Sequence, residues 1–181
     1  MLQRFYPDCY MHSTYEIDFA GYYDAGYRGI IFDIDNTLVE HGAPADERSI
    51  RLIEELKRLG FSIMLLSNNK EPRVKMFNDA VKVSYIFKAG KPGKAGYEKA
   101  MEQMGTNKEN TLFVGDQIFT DVMGANITGI RTILVKPIHP KEEIQIVLKR
   151  IPEKLVLLLY KIKCKLAGEP YESARKPRKE N

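Results

Sequence analysis

At 181 residues, 44% apolar and 29% charged, the chain has the length and balance of one globular domain with a core of its own. Its two cysteines, Cys9 and Cys164, are too few for a disulfide framework and show no metal-ligand spacing, which excludes a disulfide scaffold and suits a reducing, cytoplasmic setting. The net charge of +4 gathers at one end: residues 1–140 hold 17 Lys/Arg against 18 Asp/Glu, whereas residues 141–181 hold 11 against 6.

The opening "MLQRFYPDCYMHSTYEIDF" has no apolar h-region, and no run of about 18 apolar residues occurs, so neither a cleaved signal peptide nor a transmembrane helix is expected. Eight of the aromatic residues crowd into residues 1–28: Phe5, Tyr6, Tyr10, Tyr15, Phe19, Tyr22, Tyr23 and Tyr27. An additional segment packed on a sheet accounts for them, and tyrosines also suit a membrane interface.

From Ile30 onward, strand-like runs alternate with helical patterns. "IIFDI" is a short β-rich run. "ADERSIRLIEELKRLG" puts Ile50, Ile53, Leu56 and Leu59 on one helical face and stops at Gly60. "FSIMLLS" reads as a second buried strand, and "GKAGYEKAMEQMG" as a helix ending at Gly105. "TLFVGD" and "RTILV" are two more strands, with "TDVMGANITG" a helix between them. Strands alternating with helices predict an α/β fold, a parallel sheet covered on both faces. Ligands bind such sheets at the carboxyl ends of the strands.

The polar residues fall at those ends. Asp33 and Asp35 close the first strand, Ser67 the second, and Asp116 the run "LFVG". Three strands each deliver a polar group to the same edge, which suggests one site. Of two aspartates one residue apart, one can attack phosphorus as a nucleophile while the other hands a proton to the leaving oxygen. Their repulsion calls for a divalent cation, and Asp116 and Asp121 offer further hard oxygen ligands of the kind Mg²⁺ prefers. His12, His41 and His139 fit no catalytic or metal spacing, although His41 is near the site in sequence.

"DIDNT" resembles the DxDxT signature of the haloacid-dehalogenase-like (HAD) phosphatases. "IMLLSN" is similar to their second motif, "KAGKP" to their third, and "VGDQIFTD" to the GDxxxxD form of the fourth. The four motifs stand in the family's order over about residues 29–136. The resemblance implies a Rossmann-like core with Asp33 as nucleophile and Asp35 as acid/base. It implies Mg²⁺ held by the Asp33 and Asp116 side chains and the Asp35 carbonyl, with Asp121 fixing a metal-bound water or Lys91. Ser67 and the Asn68 amide would hold phosphate oxygens, Lys91 would steady the Asp33 charge and the phosphoryl group, and Thr37 would hold the turn.

Between Asp35 and Ser67, and again between Ser67 and Lys91, the chain is too short for a cap domain. The expected organisation is an aromatic-rich segment over 1–28, a capless phosphatase core over 29–140, and a basic-apolar helical region with a disordered tail over 141–181. "EKLVLLLYKIKCKLAG" sets Leu155, Leu158, Leu159, Ile162 and Leu166 on one helical stripe, with Lys154, Lys161 and Lys165 expected on the opposite side. Lying in an anionic membrane surface, packing in the core and joining two copies all remain open for it. The whole chain resembles the bacterial YqeG-type, subclass IIIA group of capless phosphatases, itself similar to the phosphatidylglycerophosphate phosphatases of mitochondria and plastids. That resemblance implies a phospholipid phosphomonoester and a cytoplasmic enzyme peripheral on the inner membrane face. A soluble sugar phosphate or nucleotide, with a lid supplied by a homo-oligomer, is the alternative; a silent binding module is a third reading. The terminal "ARKPRKEN" lacks a patterned basic face, so no nucleic-acid partner is expected.

Overall fold

The structure, a computed structural model, describes residues 2–139 and 144–168. Six strands form one parallel sheet: β1 (Cys9–Met11), β2 (Gly29–Phe32), β3 (Ser62–Leu66), β4 (Ser84–Ile86), β5 (Thr111–Gly115) and β6 (Arg131–Val135). Their spatial order is β1-β6-β5-β2-β3-β4. After β2 the chain steps to β3 and β4 on one side, then returns through β5 to β6 on the other. The order therefore reverses at the β2/β5 boundary, where open α/β sheets bind ligands.

Helices α1 (Phe19–Asp24), α2 (Glu47–Leu59), α3 (Glu71–Val81), α4 (Lys94–Met104), α5 (Met123–Thr128) and α6 (Ile144–Leu166) flank the sheet. In α2, Asp46 accepts from the Ser49 N–H and Ser49 Oγ from the Asp46 N–H, a reciprocal cap that satisfies two otherwise orphaned donors. Ile53 and Leu56 on its inner face are buried, Ile50 and Leu59 half-buried, as the periodicity predicts. Fully burying a side chain such as Ile53 or Leu56 contributes on the order of 1.5–3 kcal/mol. One core lies between the sheet and α2 and α3, around Ile30, Phe32, Ile53, Leu65 and Phe77. A second lies on the other face, around Ile31, Met64, Tyr97 and Phe113.

The first strand had no reading of its own in the sequence. The "DCYMH" run forms edge strand β1, paired parallel to β6 with Cys9 opposite Ile133. The aromatic segment packs against the core: Phe19 meets Phe32 edge-on at 6.0 Å and Tyr23 meets Phe61 at 5.2 Å. Between Ser67 and Lys91 lie only α3 and β4, and between β2 and β3 only α2, so no cap domain interrupts the core. The last helix begins beyond the expected core segment and runs 23 residues; the basic run 174–181 lies outside the described residues.

Candidate active site

β2 ends at Phe32, and Asp33 N–H still donates to Val114 O at 2.9 Å, so Asp33 sits on the lip of the sheet between β3 and β5. The chain then coils once, with Thr37 and Leu38 N–H both donating to Ile34 O. Asn36 takes a left-handed φ of 61°, a conformation its short polar side chain tolerates. This coil turns Asp35 away from Asp33, and the two carboxylates acquire different surroundings.

Asp33 faces inward. Its Oδ1 accepts from Lys91 Nζ at 2.7 Å, and the same ammonium donates to Asp121 Oδ1 at 2.7 Å. Asp33, Asp116 and Asp121 offer carboxylate oxygens within 4.8 Å of one another, and are 6%, 2% and 0% exposed. Three buried carboxylates against one ammonium leave a deficit of two positive charges. Burial pushes the Asp33 carboxyl up from an ordinary 3.8 to about 7, with the Asp121 and Asp35 charges adding to the effect and Lys91 opposing it. Burial alone would lower Lys91; the Asp121 and Asp33 carboxylates more than offset it and hold the ammonium charged. A buried anion cluster of this kind is costly unless a cation completes it, and hard oxygen donors with a twofold deficit fit a divalent ion.

Asp35 faces the loop instead. Its Oδ1 accepts from Gly42 N at 2.7 Å and from Arg73 Nη2 and Nε at 2.8 and 3.2 Å, and its Oδ2 from Asn69 Nδ2 at 2.8 Å. His41 Nδ1 lies 3.8 Å away. The Asp35 carboxylate is thus outside the three-carboxylate cluster.

Ser67 follows β3 and is buried, with Oγ accepting from Asn69 N at 3.1 Å. Asn68 does something the sequence did not disclose: its Nδ2 donates to Lys91 O at 3.0 Å and its Oδ1 accepts from Lys91 N at 2.8 Å. The side-chain amide therefore clamps the lysine loop to the end of β3. Asp116 follows β5 and accepts from Thr37 Oγ1 at 3.4 Å. The helix expected over 120–129 begins earlier, as a π-helical turn at Ile118–Val122 that runs into α5. Wide turns of this kind recur at functional sites. This one folds Asp121 back against the end of β5, where Gln117 N donates to its Oδ2 at 3.1 Å. The approach is so close that a Cβ on Gly115 would lie 2.6 Å from Asp121 Oδ2. Below, Tyr97 Oη donates to the carbonyls of Thr120 and Asp121 at 3.0 and 3.2 Å. A Cβ on Gly124 would collide with that hydroxyl at 2.5 Å.

All seven residues singled out in the sequence (Asp33, Asp35, Ser67, Asn68, Lys91, Asp116 and Asp121) thus gather at one edge of the sheet. Arg73 and Asn69 were missed. Arg73 had a signal: a cation in the first turn of α3 opposes the helix dipole and needs a local anion. Asn69 had none.

A switch-point cluster of carboxylates around one lysine, in a sheet without a cap, defines the class as a HAD-like hydrolase. A family model described as HAD-hydrolase-like matches residues 88–145. The chain is 39% identical over 140 residues to the probable phosphatase YqeG of Bacillus subtilis, an alignment covering 76% of this chain and 81% of that one. The chain belongs to the HAD-like phosphatases, in which YqeG is its relative, and its substrate is a phosphate ester. It is also 28% identical over 128 residues to phosphatidylglycerophosphate phosphatase 1, chloroplastic/mitochondrial, of Arabidopsis thaliana, covering 65% of this chain and 37% of that one. Among solved structures, the cobalt-bound deoxy-D-mannose-octulosonate 8-phosphate phosphatase of Haemophilus influenzae superposes with a TM-score of 0.52 at 14% identity, over 76% of this chain and 91% of that one. An uncharacterized protein from Listeria monocytogenes does so at 0.51 and 18%, over 75% and 99%. Both speak to the fold alone.

Proposed function

We propose that the chain is a Mg²⁺-dependent phosphomonoester hydrolase working through an aspartyl-phosphate on Asp33, with phosphatidylglycerophosphate as its substrate and phosphatidylglycerol as its product. The observation that carries the chemistry is the shared Lys91 ammonium, 2.7 Å from both Asp33 and Asp121, beside a third buried carboxylate.

In the first half-reaction an Asp33 carboxylate oxygen attacks phosphorus. The new P–O bond forms as the ester P–O bond breaks, and the leaving alkoxide takes its proton from the Asp35 carboxyl. In the second, Asp35, now a carboxylate, accepts a proton from the attacking water. Phosphate departs and Asp33 is restored. Lys91 holds Asp33 in place and balances charge on the phosphoryl oxygens, while Ser67 and the Asn68 main-chain amide hold those oxygens. Asp33, Asp116 and the Asp35 carbonyl would hold Mg²⁺, with Asp121 fixing Lys91. When bound, the ion neutralises the carboxylates and the transferring group. Arg73 and Asn69 orient Asp35.

The substrate assignment rests on three supports: similarity to the Arabidopsis phosphatase, a site with no cap over it, and a cationic, apolar last helix. It places the enzyme on the inner membrane face as a peripheral protein, and among the described residues no helix is long and apolar enough to cross a membrane. A phosphate-release panel with Mg²⁺ tests it, comparing phosphatidylglycerophosphate in detergent with sugar phosphates and nucleotides. Preference for the lipid by kcat/KM is the expected result. Preference for a soluble ester would replace the lipid with a small substrate and point to a lid from a second copy.

A further inference from the structure

The apolar stripe on α6 faces outward. Eight large hydrophobic residues are exposed among the described residues, and five of them are Leu155, Leu158, Leu159, Ile162 and Leu166 on this one helix, at 37–84% exposure. The side that packs on the domain is different: Glu153, Val156, Tyr160 and Cys164, all buried. The lysines are also not opposite the stripe as the sequence suggested. At 3.6 residues per turn, Lys154, Lys161 and Lys165 run along one flank of it and Lys163 along the other, all four exposed. Leu155 to Leu166 makes a ridge about 16 Å long, edged by ammonium groups.

Two further features bear on what covers it. In residues 152–168 the sole acid is Glu153, and it points inward, accepting from Ile118 N at 2.8 Å. The outer face therefore carries no carboxylate. On the Lys163 flank, a cleft of about 440 Å³ lies between α6 and the N-terminal turn, and Arg4 and Lys163 line it. Their cations sit over the Phe5 and Tyr6 rings at 5.3 Å each. The one carboxylate in the cleft, Asp8, is tied to Thr132 through its N–H and hydroxyl.

We propose that the outer face of α6 docks on the surface of an anionic phospholipid bilayer, its leucine ridge entering the headgroup–acyl boundary while the flanking lysines and Arg4 meet lipid phosphates. A contiguous apolar ridge marks an interaction surface. Long cationic side chains beside it extend to the phosphate level while their stems stay with the apolar ridge. A second copy is a poorer occupant. Two such faces meeting about a twofold axis bring lysine against lysine with no acid between them. The proposal deepens the lipid-phosphate reading and rests on it for its purpose. Glu153, two residues before the ridge, accepts from Ile118 N, which fastens α6 to the turn that carries Asp121.

Co-sedimentation of the full chain with phosphatidylcholine vesicles, with and without phosphatidylglycerol, tests it. Binding should be at least about tenfold tighter to the anionic vesicles and should weaken as salt rises. The double variant Leu158→Glu/Ile162→Glu should lose at least about tenfold in vesicle affinity. Its hydrolysis of p-nitrophenyl phosphate and its melting temperature should match wild type. Lys163→Gln/Lys165→Gln should lose part of the anionic preference. Failure of wild type to sediment with anionic vesicles overturns the proposal, as does a double variant that binds like wild type. A dimer in sedimentation velocity that the double variant dissolves, without vesicle binding, assigns the face to a second copy and also overturns it. Release of phosphate from phosphatidylglycerophosphate in detergent is read separately. Its absence alongside intact vesicle binding would remove the lipid substrate and leave the docking face standing.

Discussion

Lys91 Nζ donates to Asp33 Oδ1 at 2.7 Å while both side chains are buried, so the orientation of the proposed nucleophile depends on a lysine 58 positions away in sequence. Asp33→Asn keeps the shape and can still accept from Lys91, but an amide does not attack phosphorus. Activity should fall by at least about 10³-fold with the fold intact. Circular dichroism and turnover on the same preparation check this, and folded protein within about tenfold of wild type would remove Asp33 as nucleophile.

Chelation should abolish turnover, and Mg²⁺ should raise the melting temperature of stripped protein. A ligand at a hundred times its Kd stabilises by about 2.7 kcal/mol. At about 2–4 °C per kcal/mol for a chain of this size, the rise is about 5–11 °C. Asp116→Asn should reduce or abolish the rise. Calorimetry with and without EDTA decides; an unchanged melting temperature and full activity in chelated buffer would contradict the metal site.

Metal-free protein should also lose stability as pH rises from about 4 to about 7. The unfolded chain releases the Asp33 proton near 3.8, whereas burial lets the folded chain keep it to about 7. Across that window the unfolded state holds fewer protons, so stability falls with pH, by on the order of a few kcal/mol, and then levels. Asp33→Asn should flatten this part of the profile and make the stripped variant more stable than wild type at pH 8. Urea unfolding of both proteins in EDTA over pH 4–8 supplies the comparison. Parallel profiles would place the excess charge elsewhere.

Arg73→Ala leaves Asp35 with Asn69 and Gly42 but no guanidinium. Loss of a buried ion-pair partner is destabilising, and a misoriented acid should lower kcat by about ten- to a hundredfold with a smaller change in KM. Arg73→Lys should recover only part, since a lysine replaces the two contacts to Oδ1 with one. Steady-state kinetics on a soluble ester measures both, and an unchanged kcat would relieve Arg73 of any part in positioning Asp35.

The sheet and its site were legible because their signals are local. "GIIF", "SIMLL" and "TLFVG" are apolar runs that end where a polar residue must leave a buried strand, so Asp33, Ser67 and Asp116 declared both the strand ends and the edge. Edge strand β1 was not legible. It is three residues long, and its pairing with β6 reaches across more than 120 positions. Nor was the orientation of α6. Its apolar residues surround most of the helix, and periodicity alone does not say which arc meets the domain. Tyr160 and Cys164 turned inward because the aromatic turn at Phe5 and Tyr6 offers them a partner surface, with Tyr6 and Tyr160 rings 5.7 Å apart. Long-range complementarity decided what pattern left open.

The clamp of Asn68 on Lys91 has a consequence for what that position tolerates. A carboxamide presents one donor and one acceptor side by side, the same pair that a neighbouring backbone presents in a sheet. Asn68 therefore adds a side-chain rung at Lys91 to the main-chain bonds that Lys88 N and Ala89 N already make to Asn69 O and Ser67 O past the end of β3. Aspartate, nearly identical in shape, would keep the rung's acceptor, lose its donor, and add a fourth carboxylate near Asp33. Leucine would lose both. At this position isostery is no protection: the side chain is being read as main chain, and only another carboxamide speaks that language.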